Sequence, residues 1–119
     1  MAKNKAEDIM TKDVITVAPK TKVKEAIKLM VNKEVSGLPV VDKGKVVGML
    51  TEADALAART TQNVESAMTQ RVYKVSPDAS IKSIAATLKK QTIKRVPVVD
   101  KAGKLVGIVS RRDVLAAKL

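Results

Sequence analysis

The sequence predicts a mixed α/β (α+β) fold built from two copies of one small unit. The first observation is a tandem repeat: residues 9–54 align with 67–113 at 16 of 46 positions, with Ala102 as the single insertion. The second is apolar residues at helical spacing in one part of each copy, with short strand-like runs elsewhere. Because a repeat of fewer than 60 residues is marginal alone, the halves should share a core. We assign 1–60 to repeat 1 and 61–119 to repeat 2.

Each repeat begins with a short helix, a strand and an amphipathic helix. In repeat 1 the short helix is expected near 6–10, the strand over 14–17 and the amphipathic helix over 21–33. In repeat 2 the amphipathic helix is expected over 79–91. Both long helices carry apolar residues at i, i+3, i+4 and i+7 spacing, the pattern of one buried face. In repeat 1 these residues are Val23, Ala26, Ile27 and Met30.

Two strands and a short helix complete each repeat. In repeat 1 the strands are expected over 38–41 and 45–50 and the helix over 52–58. Gly44 supplies the tight turn between the strands. Pro39 and Pro97 stand at strand starts, where the missing amide hydrogen does least harm. Residues 59–63 are the only candidate linker.

Composition limits the function classes. Hydrophobic residues make up 45% of the chain, with Tyr73 as the only aromatic residue, so the core must be aliphatic. Cysteine and histidine are absent, which excludes disulfides, thiolate or imidazole metal sites and nucleophile–histidine catalysis. We expect no metal site and no enzyme. Since no apolar run approaches the roughly 20 residues that span a bilayer, and no signal peptide is seen, we expect a cytoplasmic protein without membrane association.

The ordered motifs resemble a pair of CBS domains, a regulatory unit also called a Bateman module, from Ile9 to Leu119. Each repeat has a V-x-P strand, an amphipathic helix, a P-V-V-D strand and a G-h-h-[ST]-x-x-D segment, where h is apolar. The resemblance implies β-α-β-β-α units packed sheet against sheet about a pseudo-twofold axis. It implies clefts that hold an adenosine-containing ligand, a homodimer forming a four-repeat disc, and a separate effector protein, since the chain contains no catalytic or transport domain.

The G-h-h-[ST]-x-x-D segments are the candidate ligand sites. Thr51 and Ser110 stand at the start of a helix, where a hydroxyl and free amides can bind phosphate. Asp54 and Asp113 follow one turn later, and a carboxylate can accept hydrogen bonds from both ribose hydroxyls. The same spacing is also a helix capping box, worth about 0.5–2 kcal/mol, and both interpretations can hold together.

The second site is predicted to be the stronger one for a phosphorylated ligand. Residues 1–60 carry 11 basic and 8 acidic residues (+3), and 61–119 carry 12 and 4 (+8). Basic residues surround the second motif, and the planar guanidinium of arginine binds two phosphate oxygens at once. These residues are Lys94, Arg95, Arg111 and Arg112.

The adenine requires an apolar slot with backbone groups at its rim. The candidates in the second site are Val72, Tyr73, Lys74 and Pro97, and their counterparts in the first are Val14, Ile15, Thr16 and Pro39. Tyr73 is interpreted as a partly exposed cover for the core rather than a stacking residue. Met10 and Met68 are interpreted as core filler.

The proposed ligand is therefore an adenine nucleotide (AMP, ADP or ATP) acting as a regulatory signal. Two alternatives stay open. S-adenosylmethionine carries no phosphate, so the arginines argue against it. Nucleic acid is suggested by the net charge of +11, but the lysines are spread, and stacking aromatics and known nucleic-acid motifs are missing.

Overall fold

A computed structural model describes residues 4–119. Two antiparallel hairpins, β1 with β2 and β3 with β4, form two separate two-stranded sheets, and six helices accompany them in this part of the chain. The predicted α+β class is confirmed. The elements in order are α1 (Ala6–Ile9), α2 (Val23–Lys33), β1 (Gly37–Asp42), β2 (Lys45–Thr51), α3 (Glu52–Ala57), α4 (Val64–Ala67), α5 (Ile81–Lys90), β3 (Arg95–Val99), β4 (Leu105–Ser110) and α6 (Arg111–Ala117).

The amphipathic helices begin two residues later than predicted. Ser80 is the N-cap of α5, and its hydroxyl oxygen accepts a hydrogen bond of 3.1 Å from the Ser83 amide. The apolar stripe of α2 faces inward, since Val23, Ala26 and Met30 are buried. The spacing of apolar residues therefore predicted both helices and their buried face.

The hairpin turns are built on residues with positive φ. Lys43 (φ 53°) and Gly44 (φ 82°) form the two-residue turn between β1 and β2, where both central residues adopt the left-handed conformation. The longer second turn contains Gly103 (φ 84°), and the Asp100 carboxylate accepts hydrogen bonds from the amides of Ala102 and Lys104.

The strand predicted over 14–17 is wrong in extent. Only Val17 is bridged, in parallel, to Val40: its amide donates to the Pro39 carbonyl at 3.1 Å and its carbonyl accepts from the Val41 amide at 2.8 Å. Neighbouring amides are used in local turns, because Val14 donates to the Lys12 carbonyl and Ala18 to the Thr21 hydroxyl. Val75 is likewise bridged to Val98.

The chain folds into two compact units that differ from a division at residue 60. Unit 1 combines the segment up to Val14 with Tyr73–Leu119, and unit 2 is Ile15–Val72. Each sheet thus receives its first helical segment from the other sequence repeat. The predicted linker 59–63 lies inside unit 2, where the Gln62 carbonyl accepts from the Val23 amide at 2.9 Å. The assignment of 1–60 and 61–119 as sequence repeats stays a prediction.

We call residues 4–14, which pack in unit 1, and residues 61–72, which pack in unit 2, the exchanged segments. Each is attached to its sheet by equivalent backbone hydrogen bonds. In unit 1, Thr11 exchanges two hydrogen bonds with Ile108, at 2.9 and 3.0 Å; in unit 2, Thr69 does the same with Met49, at 2.9 and 2.8 Å. An ion pair of 2.7 Å joins Lys20 to Glu65 in unit 2 and, through its hydrogen bond, raises the pKa of Lys20.

Two glycines leave the space that the methionine side chains of these segments occupy. A Cβ at Gly48 would lie 2.5 Å from Met68 Sδ and 3.0 Å from the Thr69 carbonyl oxygen, and one at Gly107 would overlap the Met10 side chain. Both methionines also pack against the core of their unit, so the interpretation of Met10 and Met68 as core filler is confirmed. The glycines of the G-h-h-[ST]-x-x-D segments therefore serve close packing.

The core is aliphatic, as predicted, and each unit contains a cluster of buried apolar residues. In unit 1, Ala6 from the exchanged segment is buried with residues of α5, β3, β4 and α6, including Ile84, Val98 and Val114. In unit 2, Val64 plays the same part beside Leu38 and Leu50. Each core therefore contains residues of both sequence repeats. Within residues 4–119, no helix is long and apolar enough to cross a membrane.

Candidate functional site

The candidate site of unit 1 forms where β3 starts and β4 ends. Arg95 is paired with Ser110 across the antiparallel ladder, and α6 begins at the next residue, Arg111. The Arg111 amide donates to the Lys94 carbonyl at 3.0 Å. The fold thus gathers the predicted residues of the second motif at one end of the hairpin.

This end of unit 1 is strongly basic. Lys94, Arg95, Arg111 and Arg112 contribute four positive charges, against one negative charge from Asp113. The Arg111 Nε–H donates to the Ile93 carbonyl oxygen at 2.9 Å, which uses one of its five donors and holds the guanidinium near the strand start. The cluster suits an anion with several oxygens, such as a phosphate.

Ser110 and Asp113 form the capping box that the spacing allowed. The Ser110 hydroxyl oxygen accepts from the Asp113 amide at 3.2 Å, and Asp113 Oδ2 accepts from the Ser110 amide at 2.8 Å. Among residues 4–119, no hydrogen-bond donor reaches Asp113 Oδ1. The cap therefore orients the carboxylate and leaves one oxygen available.

The equivalent position in unit 2 has the same cap but a different surrounding. Thr51 and Asp54 exchange bonds of 3.1 and 3.0 Å. In addition, the Thr69 hydroxyl lies 3.3 Å from Asp54 Oδ1 and 3.0 Å from Oδ2, donating to the carboxylate. In place of the basic cluster the sequence has Ser36, Gly37, Glu52 and Ala53. This end of unit 2 is therefore acidic, and its carboxylate is already engaged.

The Thr69–Asp54 bond was missed at the sequence level. A signal exists in the sequence, because Met68-Thr69 repeats Met10-Thr11, but the prediction assigned a role only to the methionines, as core filler. Thr11, the counterpart in unit 1, makes only its backbone bonds to Ile108 among the described residues. The two repeats therefore differ at the carboxylate although their motifs match.

The predicted adenine-contacting residues lie beside the parallel bridge of each unit. Tyr73 is half-buried and packs against the core of unit 1, which confirms it as a cover for the core. Lys74 is exposed next to Val75, whose amide donates to the Pro97 carbonyl at 3.0 Å. The ring of Pro97 is fully buried, so Pro97 offers no ring face to a ligand within unit 1.

The equivalent residues in unit 2 are likewise partly buried, exposed or fully buried. Ile15 packs against the core, Thr16 is exposed, and Pro39 is fully buried with its carbonyl bonded to Val17. Val72 is half-buried and is the last residue of unit 2. In both units the exposed position beside the bridge, Lys74 or Thr16, is the accessible candidate.

Comparison with known proteins identifies the repeated unit. The profile described as "CBS domain" matches residues 6–60 and 64–119. The chain is 38% identical over 116 residues to inosine-5′-monophosphate dehydrogenase of Methanocaldococcus jannaschii, but it spans only 23% of that protein, with 96% of this chain covered. It is 35% identical over 115 residues to the CBS domain-containing protein YhcV of Bacillus subtilis, covering 91% of this chain and 81% of YhcV.

Two solved structures share the fold over nearly the whole chain. The crystal structure of CBSX2 in complex with AMP superposes with a TM-score of 0.91 and 32% identity, covering 98% of this chain and 96% of CBSX2. The CBS domain pair of protein MJ0100, solved with 5′-methylthioadenosine and S-adenosyl-L-methionine, gives 0.87 and 32%, with 94% and 93% covered. Both neighbours bind adenosine-containing molecules.

Proposed function

Because this chain belongs to the CBS domain family, we propose that it is a regulatory module that binds an adenine nucleotide (AMP, ADP or ATP) at the candidate site of unit 1. The CBS pair is a regulatory fold and not a catalytic one. The similar CBSX2 binds AMP, which supports a ligand of this class.

The observation that carries the proposal is the difference between Asp113 and Asp54. Asp113 has an oxygen without a donor among residues 4–119 and stands beside four basic residues, whereas Asp54 accepts from Thr69 and stands beside Glu52. A nucleotide offers two ribose hydroxyl donors and an anionic phosphate. The available Asp113 oxygen and the basic cluster support binding of both groups at unit 1, whereas an acidic surrounding such as that of unit 2 disfavours a phosphate.

In this proposal Asp113 accepts the ribose hydroxyls, and Arg95 with Arg111 or Arg112 binds the phosphate. Backbone groups of Tyr73 and Lys74 contact the adenine. Since α6 has only seven residues, the arginine side chains contribute more to phosphate binding than the helix dipole does. Ligand binding regulates a separate protein, or another copy of this chain, only if the ligand has different affinities for two conformations.

The test is isothermal titration calorimetry with AMP, ADP, ATP and S-adenosylmethionine in separate runs at physiological salt. D113N is the informative variant, because asparagine keeps an oxygen to cap the Ser110 amide but loses the charge. A hydrogen bond to a charged group is worth about 1.5–3 kcal/mol, so we expect binding to weaken about 10- to 150-fold. The matched control, D54N, should bind within about threefold of the wild type.

Two results would contradict the proposal. Absence of binding by the wild-type protein to any of the four ligands would reject nucleotide sensing. If D54N abolished binding while D113N left it intact, the ligand would belong to unit 2. Far-UV circular dichroism of both variants separates loss of binding from loss of folding.

S-adenosylmethionine is the second candidate, favoured by the MJ0100 structure. It lacks the phosphate that the basic cluster would bind, so an R95Q variant should weaken AMP binding and leave S-adenosylmethionine binding unchanged. Nucleic acid is the third, favoured by the net charge of +11. Strong binding to mixed-sequence DNA that falls steeply with salt would support it.

A further inference from the structure

The two arginines at the start of α6 have different surroundings. Arg111 donates its backbone amide to the Lys94 carbonyl at 3.0 Å and its Nε–H to the Ile93 carbonyl at 2.9 Å. Arg112 is exposed, and within residues 4–119 its guanidinium makes no hydrogen bond or ion pair. One arginine is therefore tied to the fold, whereas the donors of the other are available.

The two side chains also leave the helix in different directions. Successive residues of an α-helix are turned by about 100°, so residues three apart share a face and residues two apart lie on nearly opposite faces. Arg111 precedes the buried Val114 by three residues and Asp113 by two. It therefore lies on the core side of α6, away from the direction of Asp113. Arg112 directly precedes Asp113 and lies opposite Val114.

The carbonyl that Arg111 contacts belongs to the turn that ends α5. The Ile93 amide donates to the Leu88 carbonyl at 3.2 Å. The Thr92 amide donates to the Lys89 carbonyl at 3.3 Å, which completes a Schellman motif. Thr92 has φ 55°, a conformation that a β-branched residue adopts where the surrounding structure imposes it. The turn therefore fixes the Ile93 carbonyl, and the Arg111 bond fastens α6 to the end of α5.

The equivalent residues of unit 2 cannot form this bond. Glu52 stands in place of Arg111 and Val35 in place of Ile93, and an ionised carboxylate cannot donate to a carbonyl oxygen. A groove of about 650 Å³ lies there instead, and both Glu52 and Val35 line it. The motif residues Thr51 and Asp54 do not line this groove. The first residue of α3 therefore also lies on the side away from the ligand motif.

Arg95 adjoins the ligand motif of unit 1 from the other strand. It is paired with Ser110 across the ladder, and it precedes Val96, which is fully buried in the core. Because successive strand residues point to opposite faces of a sheet, the Arg95 side chain lies on the face away from that core. A cross-strand pair shares one face, so Arg95 and Ser110 lie on the same side.

We propose that Arg112 and Arg95 together bind the phosphate of the nucleotide, and that Arg111 instead holds the start of α6 against the end of α5. The inference rests on the proposed function and narrows it, because both arginines of α6 are candidates for that contact. A phosphate between two guanidinium groups receives charge-assisted hydrogen bonds from both.

The test compares R112Q with R111Q, two neighbouring substitutions that remove the same charge. Isothermal titration calorimetry of the full chain uses AMP and adenosine, which has the same base and ribose but no phosphate. We expect R112Q to weaken AMP binding at least about tenfold, as loss of a charge-assisted hydrogen bond does, and adenosine binding less than about threefold. R111Q should change both affinities by the same factor and lower the Tm by about 2–6 °C, because it removes the bond to the Ile93 carbonyl.

Three results contradict the inference. If the preference for AMP over adenosine falls in R111Q and not in R112Q, the two roles are reversed and nucleotide binding itself stands. If it falls equally in both variants, the phosphate senses the summed charge of the cluster rather than one side chain. Absence of AMP binding by the wild-type chain rejects the proposed function and the Arg112 role with it. The Tm of R111Q then still decides the role of Arg111, since a wild-type Tm contradicts the bond to Ile93.

Discussion

The packing of Met10 on Gly107 gives a sharp test of the exchanged segments. A Cβ at Gly107 would overlap Sδ and Cγ of Met10 and lie 3.1 Å from its Cβ. Ordinary carbon contacts are about 3.5–4.0 Å, so the methionine must move. Overpacking of this kind costs typically about 1–3 kcal/mol, and we expect G107A to lower the free energy of unfolding by that amount.

The second substitution removes the obstacle. M10A alone should cost about 2 kcal/mol, at the lower end for methionine truncation because Met10 is half-buried. In the double variant the new methyl group enters space that Sδ and Cγ of Met10 have left, while the Cβ of position 10 stays 3.1 Å away. G107A/M10A should therefore cost about 2–3 kcal/mol, less than the sum of the single effects by about 1–2 kcal/mol.

The control is the equivalent methionine substitution in the other repeat, M68A. Met68 is the sequence counterpart of Met10, but it packs against Gly48, so M68A should not rescue G107A. G48A should likewise be rescued only in part by M68A, because the Thr69 carbonyl oxygen remains 3.0 Å from the new Cβ. Urea unfolding followed by far-UV circular dichroism measures all the variants. Rescue of G107A by M68A, or no coupling with M10A, would refute the exchanged packing.

Three further stability measurements follow from the same structure. S110A should lose about 1 kcal/mol through the helix cap while S110T stays within about 0.5 kcal/mol, and equal losses would contradict the cap. K43N should gain about 0.5 kcal/mol, because asparagine tolerates the left-handed conformation of the first hairpin turn better than lysine; a loss would argue against that turn. I84A should cost about 2–5 kcal/mol, whereas V47A, at a partly exposed position, should cost less than about 1 kcal/mol; similar costs would contradict the assigned core.

The local elements could be predicted from the sequence because their signals are local. Helical spacing identified α2 and α5, and the glycine turn placed the first hairpin within one residue at its ends. The strand predicted over 14–17 forms a bridge only at Val17, because local turns compete for the neighbouring backbone groups. A strand requires partners for successive residues, and here the neighbouring amides of Val14 and Ala18 bond within local turns.

The residues of the candidate site could be predicted from the sequence, but the difference between the Asp113 site of unit 1 and the Asp54 site of unit 2 could not. The motif and its basic neighbours are visible in the chain, and the capping alternative proved correct in geometry at both Ser110 and Thr51. The donation from Thr69 to Asp54 was not visible, because it joins residues 15 positions apart that meet only when the exchanged segment packs on its sheet.

The sequence by itself therefore determined the class of fold, the repeated unit, the aliphatic core and the excess of positive charge in the second half. The tertiary structure alone decided which segment completes which unit, why Gly48 and Gly107 carry no side chain, and which carboxylate keeps an available oxygen. The physical reason is that spacing and turn chemistry act between near neighbours in the chain. Two similar repeats offer each exchanged segment two similar sheets, and only packing in three dimensions selects between them.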